Sequence, residues 1–520
     1  MTSPASVARQ TDPGDSIPSH AGCGQDHSWK RHVDAGMLFL LAYVAFFLAS
    51  KLIGFTTGYA LDDYGIIRQG GNESLAAFFI SQGRYASALM DVVVHASHLT
   101  MSSFSTIGLA ATTVFSGLFF KDALDLPKKG SASVAIGLGA LLGAHPYYTE
   151  YVSFRQSALP MSMMFLGMWY ALRLYRTALA NHPVRLLPLI GSILVGTLVM
   201  GFNQLTTSFL AIAVLCVHLR RQQRHAPLML GAEILRRAAW ISPIYHAALA
   251  GAVLIVGNML VAKLCIVVFD TPALQRTQLV ATGMLAERAT DVMRLLPLLW
   301  ARSETIVAWP SKVIALTAFV LLLAAVLPRN PRLAGIALAT FIVATAAALI
   351  PTAASASWWP VPRTLIAVPF ALAAAIAMVI PVDSRRTSLA GILLIVSACI
   401  FAAHSTTVLS NQQRLNRWDQ MQARDITQLA NEKYPDTSGK LAIVGPSWAH
   451  DIAQSIAQGD LNISALSVDW ALDPLFDEAT GRDQTVRLAP EFSELCSTSP
   501  KYPNSASLHR EGDEVVVCMH

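Results

Sequence analysis

Charged side chains are scarce in this sequence. Asp, Glu, Lys and Arg make up 14% of the 520 residues, whereas they make up roughly a quarter of a typical soluble domain. Hydrophobic residues account for 53% and are gathered in long runs. This composition excludes an ordinary soluble protein and predicts a polytopic membrane protein.

Motifs for metal, nucleotide and nucleic-acid binding are also missing. The six cysteines include no CxxC pair and no Cys/His cluster with zinc spacing. No GxGxxG pattern and no basic tract interleaved with aromatic residues is present. The net charge of +5 comes mostly from loops, where anionic lipid headgroups are the expected partner. We therefore expect no metal, no cofactor and no nucleic-acid partner.

Eleven apolar runs are candidate membrane spans, for which about 20 residues are needed. They lie near 36–55, 102–120, 131–147, 158–175, 186–202, 205–219, 243–268, 312–327, 333–350, 364–381 and 388–404. In residues 1–33 the apolar residues show no regular spacing, and this segment is predicted to be a disordered cytoplasmic tail. The predicted fold class is mainly α, with residues 34–404 forming a transmembrane helical bundle of about 11 spans.

Lys and Arg are concentrated in alternate loops between these runs. By the positive-inside rule those loops are cytoplasmic; they lie at 121–129, 173–185, 220–237, 329–332 and 385–386. The N-terminus is then cytoplasmic, and the other loops and everything after residue 404 are extracytoplasmic. We expect the function to lie on that outer face, where neither ATP nor nucleotide sugars are supplied.

The composition changes after residue 404. We predict an extracytoplasmic region over 405–520, made of a helical stem and a small α/β domain. The predicted elements are a stem helix over 405–435, a strand at 441–444, a helix at 449–457 and a strand at 514–517. Cys496 and Cys518 could form a disulfide in this oxidising compartment, and two free thiols are the open alternative.

An acidic pair, Asp62 and Asp63, follows the first span directly. Two adjacent carboxylates persist in so apolar a chain where water, a cation or chemistry uses them. Adjacent side chains of an extended loop point to opposite sides, so we expect one to be a general base and the other to orient it or hold an acceptor. In the alternative, the pair caps the next helix or pairs with Arg68.

Residues 74–99 carry apolar side chains at helical spacing. The opposite stripe gathers Ser81, Arg84, Asp91 and His95. We predict one amphipathic helix in the membrane interface, with its polar face turned towards the acidic pair. A plain solvated face is equally compatible with the pattern.

Further polar residues lie at the ends of later spans. Glu150 and Arg155 sit among aromatic residues, where they bind substrate or form a structural ion pair with each other or with a neighbouring loop. Asn203 and Gln204 occupy a tight turn, and their amides hold a sugar hydroxyl or cap helix ends.

Arg363 follows two tryptophans, Trp358 and Trp359, at the start of another span. Its planar guanidinium suits a lipid phosphate, which it can bind through two parallel hydrogen bonds. Snorkelling towards lipid headgroups without a further function is the alternative.

These features together fit glycosyl transfer from a polyprenyl-phosphate sugar. Such a reaction needs a base for the acceptor hydroxyl and cations for the departing phosphate. The donor's lipid tail also explains why the enzyme needs membrane spans.

The motifs Leu61-Asp62-Asp63-Tyr64, Gly83-Arg84-Tyr85, Pro146 to Arg155 and Asn203-Gln204 resemble those of the Gtr-type O-antigen glucosyltransferase family. That family is similar to the wider GT-C class. The resemblance implies a GT-C-like fold in the bacterial inner (cytoplasmic) membrane, with a periplasmic C-terminus. It also implies undecaprenyl-phosphate glucose as donor and a lipid-linked surface glycan, such as O-antigen, as acceptor.

The resemblance places the catalytic base at Asp62 or Asp63, with Asp62 favoured. The residues expected around the substrates are Arg68, Arg84, Glu150, Arg155, Gln204 and Arg363. A mannosyl or arabinosyl donor stays open, because sugar choice depends on pocket shape. A lipid or sugar transporter is the alternative from another class, although it would be expected to show charged or broken segments at mid-membrane.

Overall fold

The structure is a computed structural model. It describes residues 34–55, 58–69, 73–98, 100–128, 130–180, 184–225, 233–272, 278–304, 306–380, 385–437, 439–447 and 463–519. The predicted tail over 1–33 and the predicted helix over 449–457 lie outside these residues. So does the side chain of Arg68, although its backbone is helical.

The described chain is mainly helical. Its helices are α1 (Ala35–Lys51), α2 (Leu61–Gln69), α3 (Glu73–Ser81), α4 (Tyr85–Ala96), α5 (Met101–Leu124), α6 (Ala132–Ala144), α7 (Tyr147–Ser153), α8 (Ala158–Leu179), α9 (Leu186–Met200), α10 (Thr206–His225), α11 (Glu233–Val268), α12 (Leu285–Trp300), α13 (Trp309–Val326), α14 (Pro331–Ala354), α15 (Val368–Met378), α16 (Arg385–Lys433), α17 (Asp469–Thr480) and α18 (Ser493–Thr498).

Each of the eleven apolar runs contains one of these helices. By length and composition, six helices of the described chain are able to cross a membrane; they lie in α1, α5, α11, α13, α14 and α16. The helices α6, α9 and α15 have 13, 15 and 11 residues, fewer than the about 20 that a perpendicular span needs. The structure therefore supports a helical membrane protein, while the number of spans stays a prediction.

The short helix α6 lies at the centre of the bundle, between α1 and α16. Gly139 and Gly143 face α1 so closely that an added Cβ would lie 2.2 Å from the Phe39 oxygen and 2.4 Å from the Tyr43 oxygen. Small residues four positions apart allow this close backbone approach between membrane helices. Ten residues of α6 are buried, and so is the whole of α15, which is typical of core helices.

The single helix predicted over 74–99 is wrong, because the segment forms α3 and α4 with a break between them. Gly83 has a φ of 72°, a left-handed conformation that ends a helix and that glycine adopts without strain. The predicted polar stripe is divided by this break, because Ser81 ends α3. Arg84, just before α4, and Asp91 and His95 within it line a common cavity together with Ser87. Their spacing of three or four residues puts them on one face.

The part of the chain that follows α16, which we call the C-terminal domain, contains a small mixed sheet. Its strands are β1 (Lys440–Val444), β2 (Thr485–Leu488), β3 (Leu508–Glu511) and β4 (Glu514–Cys518). The order is β2-β1-β4-β3, with β1 parallel to β2 and β4, and β3 antiparallel to β4. The two predicted strands are confirmed. The predicted stem is also helical, because α16 runs for 49 residues into this domain.

A disulfide joins Cys496 to Cys518, with the two Cα atoms 5.2 Å apart, so the predicted pairing is present. It links α18 to the end of β4. Both cysteines are buried with Ala442, Val444 and Val516 on one face of the sheet. The other face forms a larger core against α16 and α17.

Candidate active site

A cavity of about 1160 Å³ lies where several segments of the chain, distant in sequence, meet. Its lining comes from α2, from α3 and α4, from residues 151–160, 202–205 and 351–364, and from Trp470 of the C-terminal domain. Apart from Trp470, these segments belong to connections that the Lys/Arg distribution assigns to the outer face. Pockets for small molecules commonly span about 300–1,000 Å³, so this cavity has room for a large substrate.

The lining is divided between polar and apolar side chains. Polar groups come from several connections and include Asp62, Gln156, Asn203, Gln204 and Arg363. Apolar side chains come from several segments too; α3 contributes Leu75, Phe78 and Phe79, and α4 contributes Met90 and Val94 beside its polar residues. Such a cavity suits an amphipathic ligand.

The acidic pair lies in the first turn of α2, and the expected extended loop is therefore wrong at this position. On a helix, residues three and four apart share a face. Asp62 lines the cavity together with Gly65 and Ile66. Leu61 and Tyr64 occupy another face, which is buried in the core of the C-terminal domain.

Asp63 lies at the junction of α2 with the segment that leads into α8. It is fully buried and accepts three backbone N–H bonds: from Ala60 at 2.8 Å, Arg155 at 3.1 Å and Gln156 at 3.0 Å. In the first bond, the N–H of the residue just before α2 donates to an acidic side chain three positions later, as in a capping box. The other two tie α2 to the 3-10 turn at Arg155–Ser157.

Burial raises the pKa of Asp63 to about 7. The N–H bonds from Gln156, Ala60 and Arg155 oppose that rise, and the nearby charge of Asp62 adds to it. Asp63 is absent from the described cavity lining. Its contacts match the capping alternative, and Asp62 is the member of the pair that reaches the cavity.

Glu150 and Arg363 form a buried ion pair between α7 and the connection before α15. Glu150 is 0% exposed and accepts bonds from the Arg363 backbone N–H at 2.6 Å and from its Nη1 at 2.8 Å. The guanidinium of Arg363 also lies 4.5 Å from the ring centroid of Trp359 and 5.0 Å from that of Phe154. Arg363 and Trp359 line the cavity, so Glu150 fixes an arginine that faces it.

The other predicted residues differ in their access to the cavity. Arg84 and Gln204 line it, and the Gln204 Nε2 donates to the Gln82 carbonyl at 3.3 Å. Among the described residues of the lining, neither Glu150 nor Arg155 appears. The Arg155 guanidinium lies 5.1 Å from the Tyr59 ring centroid, and its backbone N–H binds Asp63.

Several cavity residues were not predicted, among them Gln156, Ser157 and Trp470. Gln156 and Ser157 follow Arg155 directly, so their nearness to a predicted residue was the available signal. Trp470 has no such signal, because its position depends on how the C-terminal domain packs against α2. No cluster of three His, Cys, Asp or Glu side chains suited to a metal ion occurs in the described part of the chain.

Replacing Asp63 with Asn is expected to destabilise the protein. The Asn amide nitrogen cannot accept a hydrogen bond, so at least one buried backbone N–H loses its partner, at a cost of about 1–3 kcal/mol. Thermal unfolding of the full chain in detergent measures this loss. Asp436→Asn, at an exposed position, is the matched control. Equal melting temperatures for Asp63→Asn and the control would contradict the structural role.

Comparisons with known proteins leave the family of this chain open. No protein-family model matches it, and neither a curated protein nor a solved structure matches it at a significant level.

Proposed function

We propose that this protein is a membrane glycosyltransferase. It moves a hexosyl residue from a polyprenyl-phosphate sugar to a lipid-linked surface polysaccharide on the extracytoplasmic face. The observation that carries this proposal is the composition of the 1160 Å³ cavity. Its lining combines the Asp62 carboxylate and the Arg363 guanidinium with an apolar patch from α3, made of Leu75, Phe78 and Phe79.

In the proposed reaction, Asp62 is the general base. An acceptor hydroxyl gives its proton to the Asp62 carboxylate while its oxygen attacks the anomeric carbon of the donor sugar. The bond between that carbon and the phosphate oxygen breaks, and polyprenyl phosphate leaves. Asp63 is a positioning residue here, because it holds α2 in place through backbone bonds.

Arg363 is proposed to bind the donor phosphate, with Arg84 as a second cation in the cavity. Glu150 and the rings of Trp359 and Phe154 already hold the Arg363 guanidinium. Little side-chain freedom is then lost on binding, which favours affinity. The apolar patch of α3 is suited to the first isoprene units of the lipid.

The proposed donor and acceptor are undecaprenyl-phosphate glucose and a lipid-linked glycan such as O-antigen. This choice rests on the resemblance of the motifs around Asp62, Arg84, Arg155 and Gln204 to the Gtr-type family. A mannosyl or arabinosyl phospholipid would need the same base and the same phosphate site.

We further propose eleven spans in a GT-C-like arrangement in the bacterial inner membrane, with a cytoplasmic N-terminus and a periplasmic C-terminus. The support is that alternate connections supply the cavity lining, while the intervening ones carry the Lys and Arg clusters. Reporter fusions at Lys128, Arg224 and Arg385 should report the cytoplasm, and one at the C-terminus the periplasm. A periplasmic signal at Arg224 would rule out this topology.

Asp62→Asn is the direct test of the catalytic proposal. Loss of a general base is expected to lower the rate of sugar transfer by about 10²–10⁴-fold. Thermal stability should fall far less than in Asp63→Asn, because Asp62 lines the cavity and is only partly buried. Purified full-length protein is assayed for transfer of radiolabelled glucose from undecaprenyl-phosphate glucose to the lipid-linked glycan. Asp436→Asn serves as the control, and near wild-type transfer by Asp62→Asn would place the base elsewhere.

Arg363→Lys tests the phosphate site. Lysine keeps the charge next to Glu150 but loses the planar pair of donors, so we expect the donor KM to rise by about tenfold. The acceptor KM should change little. Arg332→Lys, at an exposed position in the first turn of α14, is the control. A donor KM equal in both variants would remove Arg363 from the donor site.

A further inference from the structure

Trp470 extends the cavity onto the C-terminal domain. This residue lies in the first turn of α17, and its side chain is 58% exposed while also lining the cavity. Trp309, at the start of α13, is similarly exposed at 53% but is not among the described residues of the lining. Trp309 matches the tryptophans that anchor proteins at membrane interfaces. Trp470 belongs instead to the domain that follows the last span.

The helix that carries Trp470 is fixed on two sides. The backbone N–H groups of Leu488 and Val486 in β2 donate to the side chains of Asp469 and Asp473. Apolar residues of α17, namely Ala471, Leu472, Leu475 and Phe476, are buried in the core of the domain. Because α17 is held in this way, the exposed side chain of Trp470 is carried by a well-packed helix and not by a frayed helix end.

The indole of Trp470 lies close to α2, the helix that carries Asp62. A Cβ built on Gly65 would lie 3.7 Å from Trp470 Cδ1, so the ring passes close to the α2 backbone. Gly65 follows Asp62 by three residues and shares its helix face. The exposed ring of Trp470 thus lies against the stretch of α2 that also presents Asp62 to the cavity.

We propose that Trp470 is a platform on which a pyranose ring of the acceptor glycan stacks. The C–H face of a sugar packs on an aromatic face, while its hydroxyl groups stay at the edge and keep their hydrogen bonds. A ring stacked on Trp470 would carry one such hydroxyl towards Asp62. This inference rests on the proposed function and adds to it a determinant of acceptor binding outside the helical bundle.

The acceptor suits this platform better than the donor does. The donor phosphate is assigned to Arg363 and Arg84, which belong to the connections between bundle helices. Its lipid tail keeps the donor at the membrane. A surface glycan extends away from the membrane, and among the described residues of the lining Trp470 comes from the domain on that side.

The test compares Trp470→Ala, Trp470→Phe and Trp309→Ala in the full-length protein in lipid nanodiscs. The probes are radiolabelled undecaprenyl-phosphate glucose and the undecaprenyl-diphosphate-linked glycan extracted from cells that lack this protein. Steady-state transfer gives separate KM values for donor and acceptor. Equilibrium binding of the fluorescently labelled glycan, measured without donor, gives a readout that does not depend on catalysis.

We expect Trp470→Ala to raise the acceptor KM and the glycan Kd by about tenfold, with the donor KM unchanged. Trp470→Phe should keep most of the affinity because it keeps an aromatic face, and Trp309→Ala should match the wild type. An unchanged acceptor KM in Trp470→Ala would overturn the platform. Equal losses in Trp470→Ala and Trp309→Ala would overturn it as well, in favour of membrane anchoring.

The two proposals fail in different ways. If the wild-type protein transfers no sugar, the proposed enzyme activity is wrong. The glycan-binding measurement alone then tests whether Trp470 is a platform. Binding to Trp470→Ala as tight as to the wild type would overturn the platform in that case. If the wild type transfers sugar and Trp470→Ala binds the glycan equally well, only the platform is wrong.

Discussion

The carboxylate of Asp63 holds together the parts from which the cavity is built. Its oxygens accept backbone N–H bonds from the start of α2 and from the turn before α8. Burying a carboxylate costs free energy unless such donors surround it. The three N–H donors therefore explain why an Asp side chain can be buried at position 63. Because α2 is fixed in this way, Asp62 on its neighbouring face is presented to the cavity.

The same short helix also links the bundle to the C-terminal domain. Leu61 and Tyr64 pack into the domain core, and Asn416 of α16 donates a hydrogen bond to the Tyr64 hydroxyl. The two adjacent acids therefore have different environments, one buried among backbone donors and one in the cavity. A general base needs access to substrate, and among these two residues Asp62 has it.

Local patterns predicted the helices of the apolar runs, but not the shorter helices α2 and α12 between them. Length and hydrophobicity are properties of a continuous stretch, and each of the eleven apolar runs contains a helix. The strands at 441–444 and 514–517 also followed from local composition, whereas the cysteine count left a disulfide and two free thiols equally open. The break at Gly83 did not, because a left-handed φ leaves the apolar periodicity of residues 74–99 intact.

Pairings between distant residues could not be predicted in the same way. Glu150 and Arg363 were both expected near the substrates, but their direct contact joins positions 213 residues apart. Sequence spacing therefore did not show that Glu150 is buried away from the cavity and binds Arg363. Trp470 was missed for a related reason, since its place at the cavity depends on the packing of α17 against α2.

The most direct test of the central claim is the mass of the surface polysaccharide. Cells with this protein, cells without it and cells that carry Asp62→Asn are compared by mass spectrometry of the released glycan. The account predicts that the repeat unit loses the mass of one hexose when the protein is absent, and that Asp62→Asn reproduces this loss. Identical masses in all three strains would contradict it.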